Sequence, residues 1–251
     1  MGSVNMLECV RLSASVKSFV LVTTDKVYKD KDWIWGYREC DDLGGIDPYS
    51  ASKTMAEEAF NSYMKSFYSK QKTGVASARG GNVVGGGDFS RDRLIPDCYR
   101  NLTAGLPIVI RNPRSIRPWQ HVLELLKGYL MLGEYIYESP ERSGNWNFGP
   151  AEESFVDVET MVKMFIKVWG SGTYTAENAE QALKESNILM LDSTKSQRIL
   201  NWNPAYTVKE VIDMTADWYK RVIIDSENPL EISREHIEMF LRNEVCLKKA
   251  V

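Results

Sequence analysis

Tyr49 and Lys53 stand four residues apart in the stretch Tyr49-Ser50-Ala51-Ser52-Lys53. On a helix that spacing puts both side chains on one face. A phenol ionises near pH 10, so a tyrosine acting as a base at neutral pH needs its pKa lowered by about 3, roughly 4 kcal/mol. A neighbouring ammonium does this by favouring the phenolate. The same lysine could also donate to ribose hydroxyls. The spacing equally suits a solvated lysine beside a packed tyrosine. Thr24-Asp25-Lys26 follows a short apolar run and offers a hydroxyl, an acid and an amine in a row. Ligands of parallel sheets sit outside the carboxyl ends of the strands. Strand alternation would send Asp25 to the face opposite Thr24 and Lys26. The three converge only if the chain leaves the strand near Thr24. A plain polar strand terminus is the alternative.

Elements must hold these residues. Val4, Leu7 and Val10 recur at helical spacing, which predicts an amphipathic helix over 2–14. Residues 18–24 (SFVLVTT) lack polar alternation and predict a strand buried on both faces of a parallel sheet. A polar and aromatic loop with Trp33, Trp35 and Tyr37 follows. Pro48 then opens a helix over 49–69, where its missing N–H costs least. Beyond it the pattern predicts strands at 74–78, 107–111, 146–148 and 188–191. Helices are predicted near 92–104, 121–138, 156–169, 207–225 and 231–243. Residues 170–174 read as a loop running into a strand. This alternation predicts an α/β fold with a parallel sheet. A sheet-based portion is placed at 1–90, and a smaller lobe at 91–251 with segments returning to the sheet.

Residues 80–87 (GGNVVGGG) do not match the dinucleotide fingerprint, which needs G-x-G-x-x-G between the first strand and its helix. No Walker lysine follows. A turn whose backbone approaches a ligand closely is expected instead, with Asn82 offering an amide to a sugar or phosphate. Arg117 precedes a helix and could hold a phosphate with its planar fork of donors, or form a surface ion pair. His121 reads as a hydrogen bonder at a helix start and His236 as structural. Two histidines and four scattered cysteines without a CxxC pair signal neither a metal site nor a disulfide framework. No metal is expected, and the thiols suit a reduced, cytoplasmic protein. A net charge of -3 lacks the electrostatic footprint of a nucleic-acid binder. Apolar runs such as 19–22 fall far below the roughly 20 residues of a membrane helix, and no leader peptide is expected at the start.

Taken together, the motifs resemble the extended short-chain dehydrogenase/reductase superfamily, nucleotide-sugar branch, and within it the CDP-glucose 4,6-dehydratases. The resemblance rests on residues 23–28 (TTDKVY), 33–39 (WIWGYRE), 43–53 (LGGIDPYSASK) and 79–88 (RGGNVVGGGD). It continues through 92–97 (DRLIPD), 111–113 (RNP), 117–124 (RPWQHVLE), 147–150 (NFGP) and 200–204 (LNWNP). It spans nearly the whole chain. The CDP preference leans on Lys26, where many dTDP-glucose relatives carry glutamate, and on the tryptophan loop.

The resemblance implies a partial Rossmann-like sheet with a C-terminal α/β substrate lobe, and NAD as cofactor. Tyr49 would take the proton from the sugar 4-hydroxyl as hydride passes to NAD. Lys53 would lower the tyrosine pKa and hold the nicotinamide ribose, with Thr23 also on the cofactor side. Lys26 would act at C5 as base or polariser. Asp25 would protonate the departing 6-hydroxyl, and Thr24 would bond near the 4-oxygen. Asn82, Arg93 and Arg117 would bind the nucleotide sugar, with CDP-glucose the expected substrate. The matching segments begin at the helix before the family's fifth strand. The first βαβ units, on the order of 100 residues, have no counterpart in this sequence. The expectation is therefore little or no turnover by this chain alone. Two alternatives stay open. One is a non-catalytic remnant that forms a homodimer through the helices at 2–14 and 49–69. The other is a different nucleotide-sugar epimerase or dehydratase.

Overall fold

The computed structural model describes residues 1–70, 72–151, 154–176 and 189–249. The chain forms two compact units, each assembled from three stretches of sequence. The first unit takes residues 1–81, 125–149 and 188–203; the second takes 82–124, 150–187 and 204–251.

In the first unit, helix α1 (Gly2–Leu12) leads into strand β1 (Ser18–Val22). A single 3-10 turn, Asp25–Val27, and a long loop precede helix α2 (Pro48–Ser66). Strand β2 (Gly74–Gly80) follows. Within this unit's later stretches lie most of helix α4 (Val122–Glu138), strand β6 (Gly144–Phe148) and the short helix α6 (Thr194–Leu200). The sheet order is β1-β2-β6, all parallel, with Val20 opposite Ala76 and Ala78 opposite Trp146. Every residue of β2 is buried, Ser77 and Arg79 included, as befits the central strand of the three. β1 departs from expectation. Its residues are half-buried and Val22 is 47% exposed, because among the described residues β1 pairs on one side only. α1 and α2 close one side around Leu7, Val10, Phe60, Tyr68 and Val75, and the Tyr68 hydroxyl donates to the Leu7 carbonyl at 2.5 Å.

The second unit holds strand β3 (Asn82–Val84), helix α3 (Leu94–Thr103), and strands β4 (Ile108–Ile110) and β5 (Ile116–His121). Strand β7 (Phe155–Asp157), helix α5 (Val158–Trp169) and strand β8 (Tyr174–Ala176) come next. Helices α7 (Val208–Tyr219) and α8 (Pro229–Lys249) complete it, joined through a π turn at Lys220–Ile224. β3 and β5 pair in parallel, β5 and β7 antiparallel, and β4 with β8 in parallel. The core gathers Ile95, Cys98, Ile108, Trp119, Phe165 and Trp218 among others.

Two sequence expectations change here. The glycine-rich stretch is not one loop: its middle is β3. The close approach its glycines allow is internal, since a Cβ on Gly86 would stand 2.1 Å from the Trp218 ring. The strand expected at 188–191 reduces to one parallel bridge between Leu191 and Tyr37, and Ile188 itself lies outside the described residues.

Candidate active site

Strand β1 stops at Val22, and the chain turns at Thr24 into the 3-10 turn. That exit supplies the condition for Thr24, Asp25 and Lys26 to converge. Thr24 caps the turn: its hydroxyl accepts from the Lys26 amide at 3.4 Å and donates to the Asp25 carboxylate at 2.9 Å. Thr24 and Asp25 are buried, whereas Lys26 is exposed.

Tyr49 and Lys53 sit in the first turns of α2. Asp47 fixes that end by accepting the Tyr49 and Ser50 amides at 2.9 and 3.1 Å, with Pro48 behind it. Hydrogen bonds from the Ser50 hydroxyl and amide hold the Asp47 carboxyl below its ordinary pKa, which keeps the cap anionic at a helix N-terminus. The Lys53 ammonium lies 6.0 Å from the Tyr49 ring centroid, so the pair shares one face. Tyr49 is half-exposed.

The helix is tied to the strand exit at two points. The Thr54 hydroxyl donates to the Val27 carbonyl at 3.2 Å. The Thr23 hydroxyl donates to Glu57 at 2.5 Å, and Thr23 is buried. Glu57 is fully buried. It also accepts from Arg79 at 2.7 Å, Asn145 at 2.9 Å and Ser77 at 3.0 Å. Burial works against the Arg79 charge, but the bond to Glu57 and its proximity outweigh this and raise the guanidinium's pKa. The other arm of Arg79 donates to the Tyr28 hydroxyl at 2.7 Å, which donates to Asn147 at 2.8 Å. Burial pushes the Tyr28 phenol well above its ordinary range despite the guanidinium. Tyr28 stacks on Tyr37, and Trp33 packs against Tyr37 with Lys31 over its ring.

The remaining candidates belong to the second unit. Asn82 opens β3 opposite Trp119. Arg93 is exposed at the N-cap position of α3. Arg117 lies in β5 opposite Val156, and its guanidinium donates to the Ile116 carbonyl at 2.9 Å. His121 is buried in the same unit, its Nδ1 accepting the Leu123 amide at 3.3 Å.

Sequence reasoning missed Glu57 and Tyr129. Glu57 falls on the inward stripe of α2 with Ser50, Ala56 and Phe60, so its helical register alone marks it as a charge in need of a partner. Tyr129 of α4 has its phenol pushed up by burial and by the Asp25 charge, and its hydroxyl stands 3.1 Å from where a Cβ on Gly80, the last residue of β2, would be. No motif announces it. Among the described residues no cluster of histidine, cysteine or carboxylate could hold a metal, and no helix is long and apolar enough to cross a membrane.

Comparison with known proteins gives this arrangement relatives. The chain is 39% identical over 247 residues to CDP-glucose 4,6-dehydratase of Salmonella typhimurium, covering 96% of this chain and 68% of that enzyme. Among solved structures it resembles UDP-glucuronic acid 4-epimerase from Bacillus cereus in complex with UDP-glucuronic acid and NAD. That match has a TM-score of 0.75 and 17% identity over 88% of this chain and 66% of the other. It also resembles the dTDP-glucose 4,6-dehydratase of Bacillus anthracis in complex with NAD, with a TM-score of 0.72 and 22% identity over 88% and 67%. The chain thus spans about two thirds of the length of these proteins. The family model described as GDP-mannose 4,6 dehydratase matches residues 1–215. With its Tyr-x-x-x-Lys helix tied to a Thr-Asp-Lys strand exit, the chain belongs to this family, in the nucleotide-sugar branch of the short-chain dehydrogenases/reductases.

Proposed function

We propose that this chain carries the catalytic residues of an NAD-dependent nucleotide-sugar 4,6-dehydratase acting on CDP-glucose. The observation that supports this best is the shared face of Tyr49 and Lys53 on a helix bonded directly to the Thr23–Val27 exit. The 39% identity to a CDP-glucose 4,6-dehydratase, together with Lys26 and the tryptophan loop, favours CDP.

The cofactor-side residues fit NAD. Tyr49 is open on one face, and Lys53 stands beside it with three donors to offer ribose hydroxyls. Thr23 is the weaker of the three, because its hydroxyl is spent on Glu57. When bound, NAD would be held by Tyr49, Lys53 and Thr23 and would supply a reversible hydride acceptor for the sugar. Tyr49, entering as the phenolate that the Lys53 ammonium favours, takes the 4-hydroxyl proton and becomes the neutral phenol. Thr24 would donate toward the 4-oxygen by turning its hydroxyl proton away from Asp25. The 4-keto group acidifies the C5 hydrogen, a water molecule takes that proton as the C6–O bond breaks, and solvent returns a proton to C5 once C6 has been reduced. Asp25 protonates the departing oxygen, which leaves as water. Lys26 is exposed, without the burial that a lysine base requires. We therefore assign it to polarising the keto sugar rather than to base catalysis. Asn82, Arg93 and Arg117 are proposed contacts for the sugar and diphosphate. The first unit is the proposed cofactor-binding portion and the second the proposed substrate lobe.

Two measurements test this reading. Calorimetry with CDP-, UDP-, dTDP- and GDP-glucose should show binding tightest for the cytidine nucleotide. Joined to the N-terminal third of its 39% identical relative and incubated with CDP-glucose and NAD, the chain should remove one water from the sugar, read by mass spectrometry, and Tyr49→Phe should abolish this. Binding to none of the four, with no dehydration by the joined protein, would overturn the proposal. Homodimerisation is a second proposal, supported by exposed Met6 on α1 and Met55 on α2. Sedimentation showing a monomer at all concentrations would reject it.

A further inference from the structure

We infer that Glu57 is a positioning residue that sets the register of Tyr49 and Lys53 against Thr24 and Asp25. The inference deepens the reading above and rests on Tyr49–Lys53 being the reacting pair.

Glu57 lies two helical turns beyond Tyr49 and one beyond Lys53 on the same helix. Its two oxygens divide their work. Oε1 takes the hydroxyl of Thr23, the residue immediately before Thr24-Asp25. Oε2 takes Arg79 and Ser77 from the central strand β2 and Asn145 from β6. One carboxylate therefore joins the helix of the pair, the exit carrying the acid, and two neighbouring strands. Thr54 alone would hold the helix to Val27 while leaving it free to pivot. Adding the Thr23 bond on the other side of Asp25 removes that freedom. The Arg79 arm extends the lock through Tyr28 to Asn147, whose amide donates to the Tyr37 carbonyl at 2.8 Å.

A buried carboxylate accepting four donors is expensive to desolvate and is compensated here by one guanidinium. A purely structural role needs the charge pair and nothing from Thr23. A positioning role needs the Thr23 hydroxyl. The two roles therefore separate by substitution. Reaction geometry is sensitive enough for this to matter, since a misplacement near 1 Å can cost about 100-fold in rate.

The test places 3-fluorotyrosine at position 49 of the full chain and reads its fluorine resonance, with thermal unfolding measured alongside. Thr23→Val removes the hydroxyl at nearly constant shape, and Thr23→Ser keeps it. The expected result is a displaced or split resonance in Thr23→Val and the parent resonance in Thr23→Ser. Pairing Glu57→Gln with Arg79→Met removes both buried charges. It should bring the unfolding midpoint back toward the parent's and, because the side-chain amide oxygen still accepts the Thr23 hydroxyl, keep the parent resonance. A parent-like resonance in Thr23→Val, or a displaced one in Thr23→Ser, would overturn the inference. If the charge-free pair does not fold, the Thr23 variants decide alone. The fluorine readout needs no turnover. A displaced resonance in a protein that binds no nucleotide sugar would leave Glu57 in this role and refute only the proposed activity.

Discussion

Each unit buries a glutamate almost completely, and the two solve the same problem differently. In the first unit Glu57 meets a guanidinium and three neutral side-chain donors. In the second, Glu124 is fed by backbone: it accepts the His121 amide at 3.0 Å, Ala205 at 2.6 Å and Tyr206 at 2.9 Å. The nearby His121 is kept neutral, its pKa lowered to about 4 by burial and then by the charge of His236. One unit stabilises charge by pairing it, and the other by surrounding an anion with amides while suppressing a cation. Pairing through long side chains connects distant segments and can transmit position to a reacting group. Amide coordination through Glu124 joins the start of α4 to the backbone at Ala205 and Tyr206.

The largest effect should come from breaking the pair. Arg79→Met leaves Glu57 buried and unbalanced, at a cost of about 3–5 kcal/mol in urea unfolding. Adding Glu57→Gln should recover most of it, because the two sites are coupled. A cost below about 1 kcal/mol for Arg79→Met would erase the contrast between the units. Acid tests the other side. The His121 ring takes a proton near pH 6.5 in the unfolded chain but only at about 4 in the folded one. Between those values the unfolded state binds the extra proton. Stability is therefore full above pH 6.5 and falls as pH drops toward 4, by about 3 kcal/mol in the limit. Hydrogen exchange at pH 5 should show opening around β5 before β2, and His121→Gln should flatten the dependence. Glu124→Gln should cost less, about 1–3 kcal/mol, since an amide oxygen still accepts but its NH2 faces donors. The smallest effect is at the helix cap. Asp47→Ala should cost about 1 kcal/mol near neutral pH by thermal unfolding. Because the folded carboxyl has a depressed pKa, the cap's advantage is present above the unfolded value and disappears as pH falls through the folded one.

Local signals were legible in the sequence where chemistry and geometry coincide. Pro48 and Asp47 mark a helix start, and Tyr49 and Lys53 share its face as their spacing requires. The exit at Thr24 was readable as a condition, and the 3-10 turn meets it. The half-exposed state of β1 was not readable, because a run such as Phe19–Val22 has the same composition in a central or an edge strand. The Glu57 network was invisible to motif reading because its partners are remote in sequence. Ser77, Arg79 and Asn145 become neighbours only through the β1-β2-β6 order. The internal packing of Gly86 on Trp218 was hidden for the same reason: a glycine that admits an indole and one that admits a ligand look alike in sequence.

The assembly of the first unit from three separated stretches bears on how the chain is made. Glu57 and Asn145 are 88 residues apart. At a synthesis rate of about 5–20 residues per second, the carboxylate leaves the ribosome roughly 4–18 s before its last donor exists. The nascent helix carries an uncompensated anion until Arg79 follows 22 residues later, and β2 has no outer neighbour until β6 is made. Such long-range closure is slow, so chaperone dependence during translation, rather than mature stability, is where this architecture should be most vulnerable.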